Sequence, residues 1–231
     1  FGYQDVFRLP DLQRVEFRDD AATPSRFIIR AVYALSTDGM RLYIVEQDGR
    51  KARLIARSQD RTVRVDQTFP ADMPKCSTLV GSTKIALSLD DRYLALGSMN
   101  CVVVMDAITL QPVASTQLGI NYVTSLLFRR DGLLILATKE SRSEGPSGIQ
   151  AWDWRTKTTL KTVYPPLEGQ SRPTWELSQS ADGERIAMLS RAFPATLVIW
   201  DRELQHEVGR LQLQVESASR EDFIGVALSP D

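Results

Sequence analysis

The chain has 231 residues, 43% of them hydrophobic and 25% charged, with a net charge of -1 at pH 7. It is long enough to bury a substantial core, as one large all-β domain or two small ones. The charge balance argues against the strongly basic surface that nucleic acid or an anionic membrane calls for. The longest apolar runs, such as 101–105 and 133–137, fall far short of a bilayer span, and no basic stretch followed by an apolar one opens the chain. Neither nucleic acid nor membrane is therefore expected as a partner. The chain starts on Phe1, which fits a processed product or a piece of something longer. Cys76 and Cys101 are the only cysteines; two could form one bridge, but free thiols of a reducing compartment are the expected reading, which places the protein in the cytoplasm.

Taken in order, the elements repeat. Residues 1–20 hold two short strands, 5–9 and 13–17, because DVFRLPDLQRVEF aligns with LVIWDRELQHEVG further along. Residues 27–68 then give a full unit: a strand in YALSTDG, a second around Leu42 and Ile44, a third at 52–56 and a fourth at 61–66. Residues 79–118 repeat the plan with IALSLDD, Leu94 and Leu96, 102–105 and 112–117. Residues 121–164 follow with SLLFRRDG, Ile135 and Ala137, 149–152 and 160–164. Residues 174–214 follow with ELSQSADG, Ile186 and Met188, 197–200 and 207–213. Residues 222–231 begin the pattern once more in IGVALSPD.

Each unit turns on an aspartate. Asp38, Asp90, Asp131, Asp182 and finally Asp231 lie 52, 41, 51 and 49 residues apart, the spacing of a four-stranded propeller blade. Three and five residues before the anchors stand bulky residues such as Leu35 and Tyr33, Leu87 and Ile85, Phe128 and Leu126; Gln179 alone breaks the set. Two and four residues before stand mostly small ones, such as Ser36 and Ala34 or Ser88 and Ala86. Period two marks a strand, and a small face lets a second sheet approach closely, as the narrow centre of a radial array demands. Asp-Gly suits a tight hairpin; Asp91, standing where Gly is expected, implies a different turn or mild strain. The fourth strand is the most polar, as suits an exposed sheet edge.

This pattern resembles the repeats of the WD40 and YVTN-type β-propellers. Trp152-Asp153, Trp200-Asp201, Met105-Asp106 and the Ser-x-Asp-Gly-like turns carry the resemblance, which covers essentially the whole chain. It implies an all-β propeller of four-stranded antiparallel blades, with four complete units and partial blades at both ends. WD40 blades often share a buried tetrad of His, Ser or Thr, Asp and Trp. The one histidine, His206, falls after Trp200-Asp201, so the tetrad is absent and only Ser190 and Trp200 remain to occupy two of its positions. The resemblance thus implies a divergent member. Since the C-terminus supplies a first strand and the N-terminus a third and fourth, a fragment of a larger, seven-bladed ring is expected. Other blades or domains of the same full-length chain would then be its neighbours.

No residue set carries an obvious chemistry. His206 reads as a solvated turn residue, which argues against a His-activated nucleophile. One His and two distant Cys give no zinc spacing, and the acid pairs Asp19-Asp20, Asp90-Asp91 and Glu221-Asp222 read as solvated. The stretch 139–148, KESRSEGPSG, lacks the Gly-Lys-Ser/Thr of a phosphate loop. No catalytic residue, metal or cofactor is assigned. Trp152 and Trp200 share one repeat position and are expected to pack between sheets. Trp175 has two readings: core packing, or a rim patch with Arg142, Glu144, Arg172 and Arg191.

The expected function is that of a non-enzymatic WD40-like scaffold binding a protein or peptide through rim loops. The alternative is a propeller enzyme of the lactonase or dehydrogenase type, with acids around a central metal or cofactor. That needs inward-facing Glu, Asp, Asn or His near the ends of first strands, where the sequence has mostly Ser, Ala and Thr.

Overall fold

The structure is a computed structural model that describes residues 6–8, 13–15, 30–48, 51–58, 63–68, 84–140, 148–165, 174–190, 195–213 and 228. Every element among them is a β-strand. β1 (Val6–Arg8) and β2 (Gln13–Val15) form an antiparallel hairpin with Val6 opposite Val15. Unit one is a four-stranded antiparallel sheet of β3 (Arg30–Leu35), β4 (Arg41–Asp48), β5 (Lys51–Ser58) and β6 (Val63–Thr68). Units two and three are joined. β7 (Lys84–Leu87), β8 (Tyr93–Gly97), β9 (Met99–Asp106), β10 (Pro112–Phe128), β11 (Leu134–Glu140), β12 (Gly148–Asp153) and β13 (Thr158–Val163) make one seven-stranded sheet in sequence order. Unit four is β14 (Trp175–Gln179), β15 (Arg185–Ser190), β16 (Ala195–Asp201) and β17 (Glu207–Leu213).

The division expected between residues 118 and 121 therefore falls inside a strand. β10 pairs with β9 through residues Pro112 to Gln117 and with β11 through Asn121 to Phe128, so it is the fourth strand of one unit and the first of the next. Such a strand must bend. Gly119 sits at φ 64°, with nothing within 4 Å of where a Cβ would be, so its role is conformational. Register shifts at Gln117/Tyr122 and Val123/Ser125 add the remaining turn.

Alternation of side chains sets the packing. In unit two, Ile85, Leu87, Leu94, Leu96, Val103 and Met105 face unit one, where they meet Tyr43, Val45 and Leu54. The opposite face, Ala86, Ala95, Val102 and Val104, meets Leu126, Phe128, Leu134, Leu136 and Trp152 of unit three. Unit three turns Ile135, Ala137 and Ile149 to unit four, which answers with Leu177, Ile186, Met188, Val198 and Trp200. Units two to four thus turn one first-strand face, with Ile85 and Leu87, Leu126 and Phe128, or Trp175 and Leu177, to the preceding unit, and units one to three turn the other face to the following one. The small face serves the close approach of the next sheet and does not simply line a centre. Ser125 Oγ accepts the Leu177 amide at 3.1 Å, and Thr124 Oγ1 donates to the Trp175 carbonyl at 3.1 Å. A fully buried aliphatic side chain contributes about 1.5–3 kcal/mol, so these seams dominate the fold's stability.

Met105, Trp152 and Trp200 are structural equivalents, opposite Leu94, Leu134 and Ile186 of their second strands, and all three enter the seam with the preceding unit. Ser190 lies opposite Thr196, at the far end of unit four from Trp200. The two do not form the half-tetrad that the sequence left open. Instead, among the described residues, no acceptor reaches the indole nitrogens of Trp152 and Trp200. Both tryptophans act as wedges.

Two non-glycine residues show how far seam packing overrides local preference. Leu110 and Leu204 adopt φ 56° and 55° after their third strands, yet both are buried in seams. The left-handed conformation costs roughly 1–2 kcal/mol. Burying the leucine returns about as much or more. Cys101 is likewise buried in the first seam, and it is disulfide-bonded. The expectation of free thiols is therefore corrected; Cys76 lies outside the described residues. Spacing along the chain says little about proximity across sheets, and a disulfide marks an oxidising compartment more than the cytoplasm, which removes the ground for a cytoplasmic placement.

Gly97 marks the tightest point of the second seam. A Cβ there would stand 2.6 Å from Leu126 Cδ2 and 2.8 Å from Val123 Cγ1. Gly97→Ala should lower stability by about 1–3 kcal/mol in urea titration without changing the m-value; an unchanged midpoint would show that units two and three do not close on each other there.

Candidate functional site

Among the described residues the best-defined polar assembly is the rim made by the turns after first and third strands. Its unit is Ser-x-Asp. Ser36 Oγ donates to Asp38 Oδ1 at 2.6 Å and accepts the Arg41 amide at 2.8 Å, while Asp38 Oδ1 accepts the Met40 amide at 2.9 Å. Ser88 with Asp90 and Ser180 with Asp182 repeat this arrangement. A residue in the left-handed region completes each turn: Gly39 at φ 70°, Asp91 at 57°, Gly132 at 83° and Gly183 at 76°. In unit three Arg129 replaces the serine, and its guanidinium forks onto both oxygens of Asp131. After the third strands, Asp106 accepts the amides of Ile108 and Thr109, Asp153 that of Arg155, and Asp201 those of Gln205 and His206.

The two turn types share one end of each unit. The Ala107 amide donates to the Arg92 carbonyl at 2.9 Å, and Trp154 Nε1 donates to the Gly132 carbonyl at 2.9 Å. Neighbouring units are also tied there. Asp91 holds the left-handed position of a glycine, and its side chain adds a tie that glycine could not make. Its carboxylate reaches into unit one and accepts the Thr37 amide on both oxygens at 3.0 Å and the Thr37 hydroxyl at 2.7 Å. Tyr43 Oη donates to the Ala107 carbonyl at 3.0 Å across the same seam. Trp154 packs at a tilt on Tyr93 of unit two, with ring centroids 4.5 Å apart and planes inclined at 55°. Arg130 and Arg129 reach the carbonyls of Asp182 and Arg202 in unit four at 3.0 and 2.6 Å.

These contacts set the charge state of the rim. The Ser36 hydroxyl, then the Met40 amide, hold the Asp38 carboxyl below the usual carboxylate range. Ser180 and the Glu184 amide do the same for Asp182. For Asp131 the cause is the Arg129 guanidinium, whose own value is raised in return. At Asp90 burial pushes upward, but the Ser88 hydroxyl and Arg92 amide outweigh it.

The opposite rim is where the aromatic and basic patch was expected. Arg142, Glu144, Arg172 and Arg191 lie outside the described residues. Trp175 is fully buried, packed in the seam between units three and four. Its ring is not available to a partner, which corrects its place in the patch: the residue begins β14 and faces the preceding unit, as Leu177 does. Described neighbours nevertheless gather at this end. Lys139 Nζ donates to Thr174 Oγ1 at 3.4 Å, and Trp175 stands opposite Ser190.

One inward-facing carboxylate escaped sequence reading. Glu176, six residues before Asp182, ion-pairs with Lys84, six before Asp90, at 3.5 Å. The pair joins the first strands of units two and four across unit three. The equal offset from the two anchors was the available signal. Among the described residues no group of three His, Cys, Asp or Glu is placed to hold a metal. His206 is exposed on the turn rim, with Nδ1 2.8 Å from Asp201 Oδ2. No helix among the described residues is long and apolar enough to cross a membrane.

No protein-family model matches the sequence, and no curated protein matches it. A chain in the crystal structure of the mitotic checkpoint complex is similar in fold, with a TM-score of 0.55 over 78% of this chain at 16% identity. This chain spans 50% of that one. At such identity the likeness concerns fold alone: an all-β, WD40-like array of antiparallel sheets.

Two outcomes follow from the rim. Asp91→Gly would relieve a left-handed non-glycine residue, but it removes the carboxylate that accepts the Thr37 amide and hydroxyl, two donors each contributing about 1.5–3 kcal/mol. The variant should therefore be less stable in chemical denaturation; a gain would mean the inter-unit clamp contributes little. The pH dependence has a definite sign. Asp38, Asp90, Asp131 and Asp182 bind fewer protons folded than unfolded in the window below the ordinary carboxylate value of about 3.9. Their contribution is complete above that value and is lost as pH falls through the lowered folded values. Thermal midpoints should not rise as pH falls from 4 toward 2, and Ser36→Ala should flatten the decline.

Proposed function

We propose that this chain is a non-enzymatic repeat scaffold that binds a protein or peptide partner through its rim loops. The observation that supports it is the use made of the polar residues. The conspicuous acids of the turn rim are engaged by their own turns or by neighbouring units. Such engagement fixes loop positions on a rigid framework, the arrangement that recognition loops need. The similar chain comes from a multiprotein complex, in keeping with this reading. Under this reading Arg142, Glu144, Arg172 and Arg191 are the candidate contacts of the opposite rim; Trp175, buried in a seam, is not. The near-neutral charge favours protein over nucleic acid or an anionic membrane as partner.

The competing reading, a propeller enzyme with a central metal or cofactor, has one residue in its favour, Glu176, and that residue is paired with Lys84. Isothermal titration with Ca²⁺, Zn²⁺ and Mn²⁺ separates the two. The scaffold reading predicts no stoichiometric binding; saturable one-to-one binding abolished by Glu176→Gln would transfer the assignment to the enzyme.

A further inference from the structure

The repeats supply their own control for reading the turn rim. Two residues after the first anchor stand Met40, Arg92, Leu133 and Glu184 in units one to four; one residue before it stand Thr37, Leu89, Arg130 and Ala181. Two residues after the third-strand aspartate stand Ile108, Arg155 and Glu203 in units two to four. Units three and four use charged residues or alanine at the exposed positions, and Leu133 is buried. Units one and two expose Met40 at 43%, Leu89 at 50% and Ile108 at 70%. Hydrogen bonds within a few residues of all three hold their turns together: Thr37 to Asp91, Tyr43 to Ala107, and Ala107 to Arg92.

The charges differ as well. In units three and four three rim arginines are matched to acids, Arg129 to Asp131 and Glu203, Arg155 to Asp153, and Arg202 to Glu184 and Glu203, while Arg130 and Arg185 reach backbone carbonyls. Around the apolar trio Asp91 is buried and ion-paired with Arg41 at 3.9 Å, which leaves three aspartates, Asp38, Asp90 and Asp106, against one arginine, Arg92, among the described turn residues. Contacts within the turns hold Asp38, Asp90 and Asp106 ionised at neutral pH. An exposed apolar cluster in an acidic frame fits one kind of occupant.

We propose that the turn rim of units one and two binds a protein segment carrying apolar anchors flanked by lysine or arginine. The proposal rests on the scaffold reading and gives it a surface and a partner chemistry. The acidic frame disfavours anionic lipid and nucleic acid at the same place.

Peptide display against the full chain, followed by fluorescence anisotropy with the selected peptides, tests it. The comparison protein is the triple variant Met40→Glu, Leu89→Arg, Ile108→Glu. Each new residue type stands at the same turn position in unit three or four, so melting temperature and circular dichroism should match the wild type. The expected result is peptides that combine large apolar and basic residues, bind the variant at least about tenfold more weakly, and lose affinity when their basic residues become glutamate. Selected peptides that bind the variant equally well overturn this surface and leave the scaffold reading standing. Acidic peptides, or binding to anionic phospholipid vesicles that the triple variant abolishes, overturn the partner chemistry. Recovery of no binding peptide contradicts both.

Discussion

Each repeat unit is a thin sheet with two apolar faces, and neither face can be left in water. Everything else follows from the need to cover both. A lone four-stranded sheet buries nothing; stacked against its neighbours it buries Leu94, Leu96 and Met105 on one side and Ala95, Val102 and Val104 on the other. The unequal sizes of the two faces make the seam directional. Gly97 allows unit three to close on unit two, and Trp152 and Trp200 act as wedges from the later unit of each pair. The seams even impose left-handed backbone on Leu110 and Leu204, which sequence preference alone disfavours.

Polar chemistry gathers at the sheet ends, where backbone groups leave the ladders. A serine and an aspartate satisfy each first turn internally, so the turn needs no solvent to be stable. Departures from that rule carry most of the information. Asp91 uses the turn's left-handed corner to grip unit one, and Arg129 uses the serine position to reach unit four. Both substitutions convert a local turn into a tie between units.

Much of this was legible in the sequence because period and spacing are local properties. Asp38, Asp90, Asp131 and Asp182 announced the hairpins, and alternating bulky and small residues announced strands with unlike faces. The role of Asp91 was not legible, because an aspartate in place of glycine looks like strain until its partner Thr37, 54 residues away, is seen beside it. Trp175 kept two readings for a related reason: a tryptophan beside a loop has the composition of a contact patch, and only its place in the seam decides for core packing. The Lys84–Glu176 pair joins repeats that are not neighbours, and the bond at Cys101 likewise answers to proximity across sheets that spacing does not encode. The unbroken β10 was hidden because the repeat divides the chain between residues 118 and 121, where Gly119 serves as a bend within one strand.

As a scaffold, the chain would owe its recognition surfaces to these seams, which hold turns from successive units in fixed relation. The most direct measurement is methyl–methyl nuclear Overhauser contacts in selectively labelled protein. The account predicts cross-peaks from Leu94, Leu96 and Val103 to Val45 and Leu54, and from Leu134 and Leu136 to Val102 and Val104. Cross-peaks confined within single sheets, or joining Leu94 and Leu96 to Val123 and Leu126, would contradict it.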